Sequence, residues 1–563
     1  MKNKYDAVSL GMMWDRLTSI CDEIVSALVR SSFSPMVKEQ GDLTCCVFDS
    51  NGNLLSQGTF CQPAFIGTAP LTMRHMLKEF PIETLEPGDM LITNNPWLGT
   101  GHLFDVNVMS PIFRRSKIVG FTLSVTHVPD IGGAGYGTSG TEIYEEGLQI
   151  PIMKLTERGR PNEHLFRIIR TNVRTPEMTC GDLMAHITCN EVGGRLLLEM
   201  MSDYQIDDLT SISSQIFEQT ERAMRDEILI IPDGVYKHAF PVEGIDGPIT
   251  LACAATVKGG SISFDYSGTS PMVRRGINVP LCYTRAFSLY AMKCLTIPSL
   301  PNNEGAAAPI SVSAPDGCIL NGIPPYPTGA RQVIGHYVPS LIFGALKDAL
   351  PKRVQSDSGM PTQINVQGYR RDGQRFSGLF LSSSGYGALD SFDGHPAMPF
   401  PHNMFTCAAE VWETETNMRI MSKSLRVDSG GPGEFRGGVG QEILLRNDTN
   451  HPMVIFCMSG RNEFPANGFN GGKPGALRRF ILNDKDINPK GRYEPNPGDT
   501  LLILEAGGGG FGDVRNRHPE LVKRDIEAGF VSIDGALEDY GVSLSSVSLV
   551  GSDLKKSNRL THN

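Results

Sequence analysis

Long apolar runs are missing from this 563-residue chain, and nothing in it approaches the roughly 20 consecutive apolar residues that a membrane-spanning helix needs. No membrane association is therefore expected. The opening residues, Met1-Lys2-Asn3-Lys4-Tyr5-Asp6, lack the apolar core and small-residue cleavage site of an export signal, which points away from secretion. Clustered positive charge is equally scarce. With no Lys/Arg run and a formal net charge of -10, the chain is a poor partner for nucleic acid, whose binding depends on dense positive charge. Its 12 cysteines include no CxxC and one adjacent pair, Cys45-Cys46, whose side chains would alternate across a strand. Reduced thiols in a cytoplasmic setting are expected.

Several catalytic signatures are absent as well. No G-x-x-x-x-G-K-[ST] occurs, and the nearest string, Gly468-Phe469-Asn470-Gly471-Gly472-Lys473-Pro474, lacks both the spacing and the hydroxyl, so ATP is not bound here through a P-loop. There is no G-x-S-x-G elbow, and no cysteine has a readable histidine partner. Two strings, Gly135-x-Gly137-x-x-Gly140 and Gly507-x-Gly509-x-x-Gly512, match dinucleotide spacing but lack the strand-turn-helix context. For the second, a structural glycine turn is favoured over backbone amides cradling an anion. Neither internal repeats nor low-complexity segments are present.

What remains is an ordinary globular composition, 40% hydrophobic and 20% charged, in a chain long enough for roughly three or four compact units. Leu17, Ile20, Ile24 and Leu28 mark an amphipathic helix over residues 6–32, ending near Ser34-Pro35. Leu43 to Phe48 and Leu54-Leu55 flank an Asn51-Gly52 turn and predict a hairpin. A helix at 67–80 and a strand at 90–93 precede a clear alternation in which Phe121, Leu123, Val125 and His127 share one strand face. Helical pattern returns at Leu165–Asn172 and from Asp182 to about Arg225, with an interruption expected near Gly193-Gly194. Beyond Ile231-Pro232-Asp233-Gly234 the chain turns strand-rich, with strands expected at 249–257 and 261–266, a helical stretch at 331–350 and a late helix at 519–529. The expected fold is a multi-domain α+β protein. Residues 1–231 would form an N-terminal α/β metal-bearing domain, 232–350 a strand-rich middle domain with a helix at 331–350, and 351–563 a strand-rich C-terminal domain with glycine-rich turns and a terminal helix.

Chemistry concentrates in Asn95-Pro96-Trp97-Leu98-Gly99-Thr100-Gly101-His102-Leu103-Phe104-Asp105 and Val125-Thr126-His127-Val128-Pro129-Asp130. His102, Asp105 and His127 form a plausible ligand set for one divalent metal such as zinc or manganese, with Asp42 or Glu39 supplying one more oxygen. H-x-x-D is short and common, so a loop histidine and a satisfied strand-end histidine account for the same residues equally well. Asp130 is a candidate base or outer acceptor, weighed against a plain turn aspartate after Pro129. Glu145 and Glu146 are expected to be solvated. A non-catalytic carbohydrate- or protein-binding β scaffold would suit the second half of the chain but leaves the histidines and carboxylates of the first 130 residues unexplained.

Lys38-Glu39-x-x-Asp42, Asn94-Asn95-Pro96 with Gly101-His102-x-x-Asp105, His127-x-x-Asp130-x-Gly132-Gly133, Glu146-Gly147 and Gly181-Asp182-Leu183-x-Ala185 occur in order. They are followed by Asp265-Tyr266-Ser267-Gly268-Thr269, by Gly430 to Gly438 and by Gly507-Gly508-Gly509-Gly510-Phe511-Gly512-Asp513. Over nearly its whole length the chain thus resembles the hydantoinase B family. That family includes the B subunits of ATP-dependent N-methylhydantoinases and caprolactamases, the C-terminal half of 5-oxoprolinases, and a large subunit of acetone and acetophenone carboxylases. His186 stands where the family commonly has glutamine, and Gln40 where it has arginine.

The resemblance implies that His102, Asp105 and His127 hold the metal, with Asp42 completing the set and Glu39 close by. It also implies a separate hydantoinase A-type subunit with an actin-like fold, which uses ATP to phosphorylate the substrate, in a hetero-oligomer such as (AB)2. The metal centre of this chain would then complete hydrolysis of a hydantoin, lactam or oxoproline-type ring, with Asp130 and Glu39 as catalytic carboxylates. In the alternative, a ketone carboxylase, the same centre would orient a phosphorylated enol and carbon dioxide.

Overall fold

A turn between two short strands seeds the first sheet. In this computed structural model, which describes residues 5–543, Asp49 Oδ1 accepts the backbone N–H groups of Asn51 and Asn53 at 2.9 Å, and Gly52 takes φ +78°. That turn joins β1 (Leu43–Asp49) to β2 (Leu54–Gln57), as the Asn-Gly pair predicts. Residues 1–4, on which part of the export-signal reading falls, and 544–563, the end of the expected C-terminal unit, lie outside the described residues. The sheet is completed by β3 (Met90–Thr93), β4 (Asp105–Arg114), β5 (Lys117–His127), β6 (Met153–Glu157) and β7 (Arg160–Pro161), in the order β2-β1-β5-β4-β3-β6-β7.

Both faces of this sheet are covered, which is why β1 is buried from end to end. Helix α1 (Ala7–Ser31) starts where Asp6 caps the N–H groups of Val8 and Ser9, and it buries Leu17, Ile20, Ile24 and Leu28 as its periodicity predicts. The short α2 (Pro35–Lys38) and α3 (Pro63–Glu79) follow, then α4 (Glu163–Asn172), α5 (Pro176–Asp203) and α6 (Thr210–Ile228). Cys45 belongs to the apolar cluster under α1, whereas Cys46 joins the larger cluster shared with α3, so the pair does point to opposite faces. All 12 cysteines are free. Ser124 and Thr126, on the face toward α5, bind the two ring nitrogens of His186 at 2.7 and 2.8 Å, a buried use for side chains that alternation alone would send to solvent.

Helix α5 corrects one expectation. It passes through Gly193-Gly194 without a break, and the interruption falls after Asp203, where Gln205 takes φ +53°. A Cβ at Gly193 would lie 2.4 Å from Ile24 Cδ1 and 3.0 Å from Thr122 Cγ2. The glycine lets α1 and β5 close on α5; it does not end the helix.

A second sheet, order β11-β10-β9-β8, is built from β8 (Gly234–Glu243), β9 (Pro248–Lys258), β10 (Ser261–Asp265) and β11 (Ile310–Ser313). Strand β8 and helix α7 (Leu281–Leu295) are not foreseen by the sequence pattern. The expected helix at 331–350 resolves into Gln332–Gly335 and Val338–Leu346. Two further sheets, of four and five strands, come from residues 362–504, and the late helix is Pro519–Glu527. Together these elements make a multi-domain α+β fold; the largest apolar cluster runs from Met36 to Phe511 and joins the first and second sheets to part of the four-stranded one, while α1 and the five-stranded sheet pack into clusters of their own. No helix among the described residues is long and apolar enough to cross a membrane.

The glycine run near the end has a structural role. The N–H groups of Gly507, Gly508, Gly509 and Gly510 donate to the carbonyls of Ala476, Gly438, Asp357 and Lys473, which leaves none of the four to cradle an anion. A Cβ on Gly507 would sit 1.5 Å from Ser429 O. Backbone packs directly on backbone here, and only glycine permits it.

Candidate metal centre

Strand register brings the first candidates together. Asp105 opens β4, His127 closes β5, and the two are directly paired across the ladder. On the other side of β5, Leu43 pairs with Thr126, so Asp42 arrives beside His127 and its carbonyl accepts the His127 N–H at 3.2 Å. His102 precedes β4 in a turn that Gly101 bends at φ +97°. As a result His102 Nε2 stands 2.6 Å from Asp105 Oδ1, and His127 Nδ1 stands 3.2 Å from the same oxygen and 3.6 Å from Asp42 Oδ2. The ligand atoms of His102, Asp105 and His127 all lie within 4.8 Å of one another, and all three residues are buried.

Protonation shows what this arrangement lacks. His102 Nδ1 lies 3.0 Å from the carbonyl of Gly329, which can only accept, so Nδ1 carries the proton. Burial, seconded by Arg331, lowers the ring to about 4 against the pull of Asp105, so His102 is neutral and Nε2 presents a lone pair. Burial alone would raise Asp105, but the Arg331 guanidinium, which donates to Oδ2, opposes it and holds the carboxyl well below the usual range. His102 Nε2 and Asp105 Oδ1 thus face each other as lone pairs, and both are buried without a hydrogen-bond partner among the described residues. Two imidazoles and a carboxylate converging on unsatisfied lone pairs fit a divalent cation of the zinc or manganese kind.

Neighbouring groups divide the carboxylates so that one oxygen of each stays available. Arg331 donates from NH2 to Asp105 Oδ2 at 2.6 Å and from Nε to the carbonyl of Thr100 at 2.7 Å, while its guanidinium lies 4.2 Å over the Tyr283 ring. Gln62 Nε2 likewise donates to Asp42 Oδ1 at 2.7 Å, leaving Oδ2 toward His127. Burial pushes Asp42 up to about 7, with His127 pulling it down and Asp105 pushing it higher. Phe104 stacks on the His127 ring with centroids 5.4 Å apart, and the Tyr136 ring meets it edge-on at 4.9 Å.

Two expected carboxylates lie outside this cluster. Glu39 is exposed at the end of α2. Asp130 is buried, but Oδ1 accepts from Arg174 NH1 at 2.8 Å and from the N–H of Gly132 at 3.3 Å, and Oδ2 accepts the N–H of Arg174. Glu146 reverses the expectation of solvation. It is 4% exposed, Oε2 accepts the N–H of Thr328 at 3.0 Å and Oε1 that of Gly329 at 2.8 Å, and burial raises its carboxyl to about 8 despite those bonds. Glu145 is exposed as expected. Arg331, Gln62 and Tyr136 are invisible to sequence pattern because each reaches the cluster through tertiary contact, and for Glu146, visible in the Glu146-Gly147 motif, no local spacing announces its bonds to the 328–329 backbone.

A profile of the family described as hydantoinase B/oxoprolinase matches residues 6–514. The chain is 27% identical to a putative D-/L-hydantoinase B subunit of Pseudomonas sp. (strain NS671), over 99% of this chain and 98% of that protein. It is 28% identical to the beta subunit of the caprolactamase of Pseudomonas jessenii, over 96% of each. With 5-oxoprolinase 1 of Arabidopsis thaliana it shares 27% identity over 91% of its own length and 42% of that protein. The crystal structure of the ATP-dependent caprolactamase from Pseudomonas jessenii superposes with a TM-score of 0.89 at 26% identity, covering 96% of this chain and 97% of that one. Nucleotide-free acetone carboxylase shares the fold, with a TM-score of 0.86 at 19% identity over 96% of this chain and 80% of that one.

Proposed function

The chain belongs to the hydantoinase B/oxoprolinase family, and from that premise we propose that it is the metal-bearing component of an ATP-dependent cyclic-amide hydrolase of the hydantoinase B type. Its substrate would be a hydantoin, lactam or oxoproline-type ring phosphorylated on the amide oxygen by a separate hydantoinase A-type subunit. The observation that carries this reading is the buried pair of unpartnered atoms, His102 Nε2 and Asp105 Oδ1, with His127 Nδ1 beside them. His102, Asp105, His127 and Asp42 would hold one divalent metal. Such an ion supplies Lewis acidity and makes hydroxide available near neutral pH.

The chain's own residues prepare that chemistry. Arg331 and Gln62 each occupy one carboxylate oxygen and turn the other inward. The Gly329 carbonyl holds His102 in the tautomer that exposes Nε2. Phe104 and Tyr136 wall the site, which suits a phosphorylated amide that bulk water would destroy. An unstrained amide is a reluctant electrophile; phosphorylation of its oxygen makes the ring carbon a better one, and after water adds, the C–N bond breaks with the proton going to nitrogen to leave an acyl phosphate, which a second water hydrolyses to carboxylate and inorganic phosphate.

The names of two relatives, one a hydantoinase B subunit and the other a caprolactamase beta subunit, denote proteins that work with a partner. For this chain the proposal is a hetero-oligomer such as (AB)2, with ATP used by the partner, in the cytoplasm, where free cysteines stay reduced. The test combines the chain with its nucleotide-binding partner, ATP, labelled bicarbonate and either a cyclic amide or a ketone. ATP-dependent ring opening without fixed label is expected; label fixed into the ketone would replace this reading with carboxylation. In the same assay Glu39→Gln and Asp130→Asn test the two carboxylates that lie outside the cluster: turnover lowered at least tenfold with metal content retained is the result expected of a catalytic group. Turnover at the wild-type level would remove the residue concerned from the mechanism.

A further inference from the structure

We propose that Glu146 is a positioning residue for the metal centre, acting through the peptide Thr328-Gly329 on His102 and, through the chain that follows, on Asp105. The inference rests on the metal reading given above. Glu146 accepts the N–H groups of Thr328 and Gly329 at 3.0 and 2.8 Å, and the carbonyl of that same Gly329 accepts His102 Nδ1–H at 3.0 Å. Two residues further on, Arg331 reaches Asp105 Oδ2 at 2.6 Å. One short segment, more than 200 residues from the histidine in sequence, therefore aligns two members of the trio, and a single carboxylate fixes that segment.

The surroundings are shaped for this carboxylate. A Cβ on Gly329 would lie 2.9 Å from Glu146 Oε1, one on Gly276 would lie 3.0 Å from it, and one on Gly140 would lie 3.2 Å from both Cγ and Oε1. Gly140 is thus explained by the side chain it admits. The tie from Glu146 to the Gly329 peptide matters because a ligating imidazole is oriented by whatever its other nitrogen bonds, and losing such outer partners typically weakens metal binding by about 10–100-fold.

The test uses the full chain stripped of metal. Zinc affinity is read by competition with a chromophoric chelator, and cobalt is added to read its visible absorption bands. Glu146→Gln keeps the shape, but its amide can accept only one N–H and must set its own NH2 against the other. Zinc binding weaker by roughly 10–100-fold and altered cobalt bands are expected. Glu243→Gln is the control: Glu243 is also buried and accepts the N–H of Asn462 at 2.7 Å, so its loss should lower stability without moving zinc affinity. Wild-type affinity and wild-type cobalt bands in Glu146→Gln would overturn the inference and leave the metal reading standing. Failure of the unaltered chain to bind zinc, cobalt or manganese would overturn both. Should Glu146→Gln not fold, Glu146→Asp, one methylene shorter with the charge kept, should show the same weakening, and unchanged affinity there would be equally decisive.

Discussion

Asp105 has two oxygens in two different situations, one held by Arg331 and one bare toward the histidines. The ion pair is buried on both sides, so removing the guanidinium leaves a charge uncompensated in low dielectric. Arg331→Met should therefore destabilise the metal-free chain by about 3–5 kcal/mol in urea unfolding. Added zinc should restore part of that loss, because a cation at the trio would face the same carboxylate. His186 gives a pH test on the opposite face of β5. Burial lowers its ring from 6.5 to about 3, so as pH falls the unfolded chain takes up the proton first. Stability should fall progressively from about pH 6.5 toward pH 3. His186→Gln has no proton to take up there, and thermal melts across that range should show a shallower decline. Parallel declines in both proteins would contradict the assignment.

At the level of elements, what the sequence revealed depended on whether one face alone determined the pattern. The period of α1 was readable because only one stripe is buried, and the alternation of β5 was readable because apolar and hydroxyl residues separate cleanly. Helix α7 escaped because it buries Cys282, Tyr283, Ala286, Phe287, Ala291 and Leu295 between neighbours, which blurs any single stripe. Glycines misled where they serve close packing, as at Gly193 in α5. The two uses of glycine can be separated by measurement. Gly11 lies in α1 with nothing among the described residues within 4 Å of an added Cβ, so Gly11→Ala should raise stability by up to about 1 kcal/mol. Gly507→Ala would drive a methyl group into Ser429 O and should markedly lower the melting temperature or abolish soluble expression.

For the molecule as a whole, the site is a meeting of distant segments, which limits what motifs can reveal. His102, Asp105 and His127 were legible because Asp105 and His127 end adjoining strands whose pairing follows from a short connection, and His102 lies three residues ahead of Asp105. Arg331 and Glu146 were not, because one comes from beyond the second sheet and the other from a glycine-rich loop, and only folding brings the 328–331 segment between them. The shared core from Met36 to Phe511 gives the reason such contacts persist: the sheets are packed together and the site lies within their common interior. The central claim is that His102, Asp105 and His127, joined by Asp42, hold one divalent cation. Elemental analysis of the purified chain, beside His102→Ala and His127→Ala, tests it most directly. One equivalent of zinc or manganese in the unaltered chain, lost in both variants, is the predicted result; a chain without metal, or variants that keep it, would contradict the account.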